Sequence, residues 1–212
     1  MDLKIKVCGM RQPFNIRELV KLNPDYIGFI FYPKSKRFIG EVIPEEIHSL
    51  IPGSIQKVGV FVNEPFESLV EKWVESKLDI IQLHGGELPD YCKRLKVLNI
   101  PVIKAFSITS DFDFNSVYPF EKVCDYFLFD SATELRGGSG LKFNWDILNQ
   151  YKGTRPFFLS GGIQCTDIDA IKSIMHNKLY AVDVNSGFEI EAGLKDLLKL
   201  APFIYDFKNF KV

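Results

Sequence analysis

Short apolar and β-branched runs recur along the chain at near-regular intervals. They are Lys4–Cys8, Tyr26–Phe31, Lys57–Val62, Ile80–His84, Val102–Phe106, Tyr126–Asp130, Pro156–Ser160 and Ala181–Asn185. Successive runs begin 22 residues apart at the closest (Lys4 to Tyr26) and 31 at the widest (Tyr26 to Lys57). Most are near-continuous rather than strictly alternating, the pattern of parallel strands covered on both faces. Helical periodicity fills the gaps. Phe66, Leu69, Val70, Trp73 and Val74 fall at i, i+3, i+4, i+7 and i+8, one face of a helix, with Pro65 suited to its first position. Pro44 opens a similar pattern with Ile47, Leu50 and Ile51. Thr166 reads as an N-cap before Ile168, Ile171 and Ile174, and Leu194, Leu197, Leu198 and Ala201 as a closing helix. Val117–Val123 contains Pro119 and leaves room for a short helix only.

Eight strands alternating with helices predict an α/β protein, a single (β/α)₈ TIM barrel spanning residues 1–212, with no space for a second domain. A doubly wound sheet is the runner-up, but no G-x-G-x-x-G follows the first strand. Composition agrees: 46% of the 212 residues are apolar and 25% charged, enough for a sizeable core. Lys and Arg number 26 against 27 Asp and Glu, a net charge of −1, which excludes a nucleic-acid binder driven by bulk charge. The apolar runs are too short to span a membrane. Met1–Lys6 lacks the apolar stretch of a secretory signal. Cys8, Cys92, Cys124 and Cys165 form neither a C-x-x-C pair nor a metal-type spacing, and a reducing cytoplasm is the expected location.

In a barrel of this kind the chemistry sits where the strands end. Strand seven ends in Ser160-Gly161-Gly162, and strand eight in Asp183-Val184-Asn185-Ser186-Gly187. Two Gly-containing loops at these positions read as a phosphate site, because Gly lets backbone N–H groups approach an anion. Cys8, at the end of strand one, reads either as a small buried hydrophobe or as a thiolate base whose pKa nearby cations lower. Asp130 ends an apolar strand, where a carboxylate needs a salt bridge, a capping role or a catalytic task. Arg37 reads either as a solvated loop cation or as a fork for a carboxylate. His84 stands as a core histidine, a substrate contact or a metal ligand. The other two histidines, His48 and His176, fall on helical patterns, which argues against a multi-histidine metal site.

Taken in order, these segments resemble the phosphoribosylanthranilate isomerase family of the tryptophan pathway. The resemblance covers nearly the whole chain: Lys6-Val7-Cys8-Gly9-Met10, Gly28–Phe31, Ser35–Ile39, Gly59–Asn63, Ile81–Gly85, Asp130-Ser131, Gly137–Gly140, Ser160–Ile163 and Val182–Gly187. It implies a cofactor-independent Amadori rearrangement of N-(5-phosphoribosyl)anthranilate to 1-(2-carboxyphenylamino)-1-deoxyribulose 5-phosphate, the third step of tryptophan synthesis from chorismate. By position, Cys8 is then the general base and Asp130 the general acid. Arg37 holds the anthranilate carboxylate, and Gly161, Gly162, Ser186 and Gly187 hold the phosphate. Asp183 and His84 are pocket residues. The implied partner is a small phosphorylated substrate, and the implied assembly a monomer or homodimer. Three positions depart from the family pattern: Asn185 in place of the common Ser, the charged Ala132–Arg136 loop, and Leu141-Lys142 after Gly140. The competing readings are another sugar-phosphate isomerase or epimerase on the same barrel, and a non-catalytic phosphate-binding barrel. The histidine-pathway relative carries Asp where this chain has Cys8.

Overall fold

A computed structural model describes residues 3–131, 143–174 and 176–209. Eight strands close into a parallel barrel in chain order. They are β1 (Lys4–Val7), β2 (Tyr26–Ile30), β3 (Gln56–Phe61), β4 (Ile80–Leu83), β5 (Val102–Ile108), β6 (Tyr126–Ser131), β7 (Phe157–Leu159) and β8 (Leu179–Val184). Each coincides with a run read from the sequence, within two residues at either end. The barrel closes where β8 meets β1, with Lys4 opposite Ala181, Ile5 opposite Val182, Lys6 opposite Asp183 and Val7 opposite Val184.

Around it lie α1 (Pro13–Lys21), α2 (Glu45–Leu50), α3 (Phe66–Glu75), α4 (Pro89–Val97), α5 (Ile168–Lys172) and α6 (Leu197–Lys208). Pro65 and Pro44 sit at the N-caps of α3 and α2, one residue before the first-turn position expected of Pro65. Short 3₁₀ helices, Phe114–Phe120 and Trp145–Gln150, stand after β5 and before β7. Pro119 lies inside the first, as the sequence suggested for a short helix there.

The structure corrects three local expectations. The turn before α5 is capped by Gln164 and Asp167 in a reciprocal capping box, so Thr166 lies inside a 3₁₀ turn instead of capping a helix. Leu194 belongs to a small antiparallel hairpin, β9 (Glu189–Glu191) with β10 (Leu194–Lys195), and Asp196 caps α6. The buried face of α6 is Leu200, Phe203, Ile204 and Phe207, while Leu198 is 90% exposed. The spacing of Leu194, Leu197, Leu198 and Ala201 falls ahead of the buried face, because Phe203 and Phe207 carry the packing. His176 follows α5 instead of lying on a helix, and stacks against Tyr151.

Two apolar layers hold the fold. The larger one packs sheet against helices. The smaller fills the barrel, with Tyr26, Val58, Ile80, Ile103, Ala105, Leu128, Phe158 and Ala181 pointing inward from β2 through β8. Side chains on one face of a strand recur every second residue. The next inward positions are therefore Val60, Gln82, Asp130, Ser160 and Asp183, and all five line the cavity above. The apolar plug supports a floor that is largely polar.

Candidate active site

That floor belongs to a cavity of about 340 Å³ at the C-terminal end of the barrel, within the size range of small-molecule sites. Cys8, Arg37, His84, Asp130 and Asp183 all line it. So do Gly161, Gly162, Ser186 and Gly187. Every site residue expected from the sequence is thus brought to one place. The Gly137–Gly140 loop, the Ala132–Arg136 segment and Leu141-Lys142 lie outside the described residues.

Cys8 follows the last residue of β1, and its N–H donates to Val184 O at 2.9 Å, which ties it to β8. The residue is 4% exposed. Gly28 on β2 makes the space: a Cβ there would come within 2.7 Å of Cys8 Sγ. Burial pushes the Cys8 thiol above its usual range, while Lys6 and Lys195 pull it back and Asp183 adds to the rise. Lys6 lies two residues before Cys8, on the same inward face of β1. Its Nζ meets Asp183 Oδ2 at 2.9 Å, with both side chains buried. Desolvation disfavours the Lys6 ammonium, but Asp183 and Cys8 outweigh it and hold it charged.

Asp130, at the end of β6, faces His84 across the cavity, Oδ2 to Nε2 at 3.4 Å. Gln82 Nε2 lies 3.0 Å from His84 Nδ1. With the Gln82 amide donating, Nδ1 accepts and the ring proton sits on Nε2, toward Asp130. The loop that carries His84 is anchored from beneath. Glu87 accepts from Asn63 N at 2.7 Å and Gly85 N at 3.0 Å, and Lys104 Nζ donates to Gly85 O at 2.8 Å. Two buried acceptors of the floor, Gln82 Oε1 and Asp183 Oδ1, have no partner among the described residues.

At the phosphate-type loops, Gly161 adopts φ +96°, and a Cβ there would stand 2.2 Å from Ser131 Oγ. Only Gly fits that turn. Asn185 lines the cavity beside these loops, and its Oδ1 accepts from Lys195 Nζ at 2.7 Å.

Arg37 is not a solvated cation. Its Nε donates to Glu189 Oε1 at 2.9 Å and its Nη2 to Oε2 at 2.6 Å, a bidentate pair with side chains 12% and 5% exposed. The hydrogen bonds that Arg37 donates to Glu189 hold the guanidinium charged against desolvation. Lys6, Gln82, Glu189 and Lys195 did not emerge as site residues from the sequence. Lys6 left a trace, as a charge inside a buried strand at i−2 from Cys8, and Gln82 another, at i−2 from His84. Glu189 and Lys195 left none, because the hairpin that unites them has strands of three and two residues, too short to write a pattern.

The chain matches the family model described as N-(5'phosphoribosyl)anthranilate (PRA) isomerase over residues 5–206. It is 50% identical over 202 residues to the N-(5'-phosphoribosyl)anthranilate isomerase of Parabacteroides distasonis, covering 94% of this chain and 91% of that one. Among solved structures it is similar to phosphoribosyl anthranilate isomerase from Thermotoga maritima, with a TM-score of 0.86 and 32% identity, covering 98% of this chain and 100% of that one. It is also similar to a phosphoribosyl anthranilate isomerase in complex with reduced 1-(o-carboxyphenylamino)-1-deoxyribulose 5-phosphate. That likeness has a TM-score of 0.83 and 29% identity over 98% of this chain and 100% of that one.

Proposed function

The chain belongs to the N-(5'-phosphoribosyl)anthranilate isomerase family, and we propose that it runs the family's reaction with Cys8 as base and Asp130 as acid. It is an isomerase of tryptophan biosynthesis, acting by Amadori rearrangement of N-(5-phosphoribosyl)anthranilate. The observation that carries the assignment of roles is the meeting of a buried thiol and a carboxyl in one cavity, from the ends of β1 and β6. An aldose-to-ketose shift needs one acid and one base on a bound sugar phosphate, and this floor offers both.

Asp130 protonates the furanose ring oxygen. The C1–O bond breaks, and the anilino nitrogen's lone pair forms the Schiff base. Cys8, as thiolate, takes the proton from C2. The C2–H electron pair moves to form the C1–C2 double bond, and the iminium becomes an enolamine. Proton return at C1, with loss of the C2 hydroxyl proton, gives the ketone. Such acid–base groups typically contribute 10²–10⁴-fold each. Lys6 and Lys195 supply the positive charge that a buried thiolate requires. His84 orients the Asp130 carboxyl, and Gln82 orients His84. Gln82 Oε1 and Asp183 Oδ1, unpartnered among the described residues, accept sugar hydroxyls. Gly161, Gly162, Ser186 and Gly187 receive the phosphate through backbone N–H groups, and Arg37 receives the anthranilate carboxylate. Cys8, Cys92 and Cys124 are buried free thiols, which suits a reducing cytoplasm.

The direct test follows the fluorescence of phosphoribosylanthranilate generated in situ. Purified protein should abolish it rapidly and yield the ketose, with chelator present or absent. A folded sample that leaves the fluorescence unchanged overturns the assignment.

A further inference from the structure

The β9–β10 hairpin stands behind Arg37 and does not line the cavity itself. From it, Glu189 grips the Nε–Nη2 edge of the guanidinium, at 2.9 and 2.6 Å. Glu189 is in turn held on two further sides. Lys195 Nζ donates to its Oε1 at 2.7 Å, and Gly193 N donates to the same oxygen at 3.1 Å. The Lys195 side chain is wholly buried, and also meets Asn185 Oδ1 at 2.7 Å. Its backbone is pinned to α1: Asn15 Nδ2 donates to Lys195 O at 3.0 Å, and Lys195 N to Asn15 Oδ1 at 2.8 Å. We propose that Glu189 and Lys195 are positioning residues that set the plane of Arg37 and so determine specificity for a substrate carboxylate.

The inference rests on the reading of Arg37 as the carboxylate ligand. Arg37 lines the cavity, and the edge taken by Glu189 leaves Nη1 and the end of the fork for a second carboxylate. A guanidinium so fixed loses little side-chain freedom when it binds. Lys195 decides the charge. Arg37 and Glu189 alone would cancel; burial lowers the pKa of Lys195 while Glu189 supports its ammonium, and with that ammonium in place the trio carries one net positive charge for the incoming anion. Burial raises the Glu189 carboxyl, but Arg37 and Lys195 together hold it below its ordinary range, so it stays ionised. The same contacts account for Asn185, the residue that departs from the family's common Ser. Its amide oxygen serves Lys195.

The test is a cycle between variants and ligands. The probes are reduced 1-(2-carboxyphenylamino)-1-deoxyribulose 5-phosphate and its phenylamino counterpart lacking the carboxylate, with Kd measured by calorimetry. Wild type should prefer the carboxylate ligand by at least about 10-fold, and Arg37→Ala should abolish the preference. Glu189→Gln should weaken the carboxylate ligand about 10-fold and the other less than 2-fold, and should change nothing more in an Arg37→Ala background. Should Glu189→Gln fail to fold, Glu189→Asp and Lys195→Arg provide the same reading with the charge kept and the geometry shortened or lengthened. Equal loss for both ligands assigns Glu189 a merely structural role and overturns the proposal. A gain for the carboxylate ligand also overturns it, since that marks a competitor for Arg37 and not a clamp. Wild type that does not distinguish the ligands overturns the Arg37 assignment beneath the proposal as well. Discrimination that survives Glu189→Gln intact overturns the proposal alone.

Discussion

Lys6 Nζ and Asp183 Oδ2 meet 2.9 Å apart inside the barrel, across the seam where β8 closes on β1. Neither can be removed alone without burying an unpaired charge, at about 3–5 kcal/mol. Lys6→Met should therefore lower the denaturation midpoint strongly, and Lys6→Met with Asp183→Leu should recover most of the loss. Chemical denaturation of the two variants measures this. A double variant no more stable than the single one would show that the pair is not the source of the cost.

Cys8→Ala and Asp130→Asn should each cut kcat by at least about 10², with KM changed much less. Both should keep the wild-type melting temperature to within a few degrees. Steady-state decay of phosphoribosylanthranilate fluorescence gives both constants. Near-normal turnover in either variant removes that residue from its role.

The Cys8 thiol titrates above its usual range, chiefly because it is buried. A base must lose its proton to act, so kcat/KM should rise with pH on the alkaline side of neutrality. Alkylation of Cys8 by iodoacetamide, in a Cys165→Ser background that removes the exposed thiol, should rise over the same pH range. Lys6→Met should move both curves to higher pH, since Lys6, with Lys195, counters the desolvation and Asp183 that raise the thiol. The linkage sign is definite. The folded state holds the proton longer than the unfolded chain, so this group's contribution to stability is present below about pH 8.5 and falls as pH rises beyond it.

Glu189 behaves oppositely. Burial favours its neutral form, but Arg37 and Lys195 prevail and its folded pKa is lowered. Its contribution to stability is complete above the unfolded carboxyl value of about 4.3 and is lost as pH falls through the folded one. Acid titration of stability should show a shallower descent in Glu189→Gln than in wild type. Parallel descents would mean that Glu189 is not ionised in the folded protein.

Gly161→Ala places a methyl group 2.2 Å from Ser131 Oγ at φ +96°. The strain should cost about 1–3 kcal/mol and shift the turn expected to hold the phosphate. Inorganic phosphate as a competitive inhibitor should show a Ki raised about 10-fold or more, corresponding to about 1.4 kcal/mol. An unchanged Ki would place the phosphate elsewhere.

The barrel was legible because burial on both faces writes each strand as a near-continuous apolar run, and eight such runs leave few topologies. The nine expected site residues sit at strand ends or in the loops beyond, where a charged or Gly residue interrupts the run visibly. Less was legible where a polar residue depends on a distant partner. Lys6 is intelligible only once β8 places Asp183 opposite it. Glu189 depends on Arg37, far away in the chain, and on a hairpin of three and two residues whose pattern is too short to register. α6 misled for a different reason: two leucines ahead of the helix's buried face shared its spacing without sharing its burial.

The seam between β1 and β8 also dictates an order of events during synthesis. Cys8 is translated before its backbone partner Val184 and before the charges around it at Asp183 and Lys195; Lys6 and Asp183 alone stand 177 positions apart in the chain. Until β8 is translated, Lys6 lacks the carboxylate that it meets in the closed barrel. A nascent chain that ends before β8 has neither the burial nor the charges that set the Cys8 thiol, so the environment of the base is completed only when β8 and the hairpin beyond it have joined the barrel.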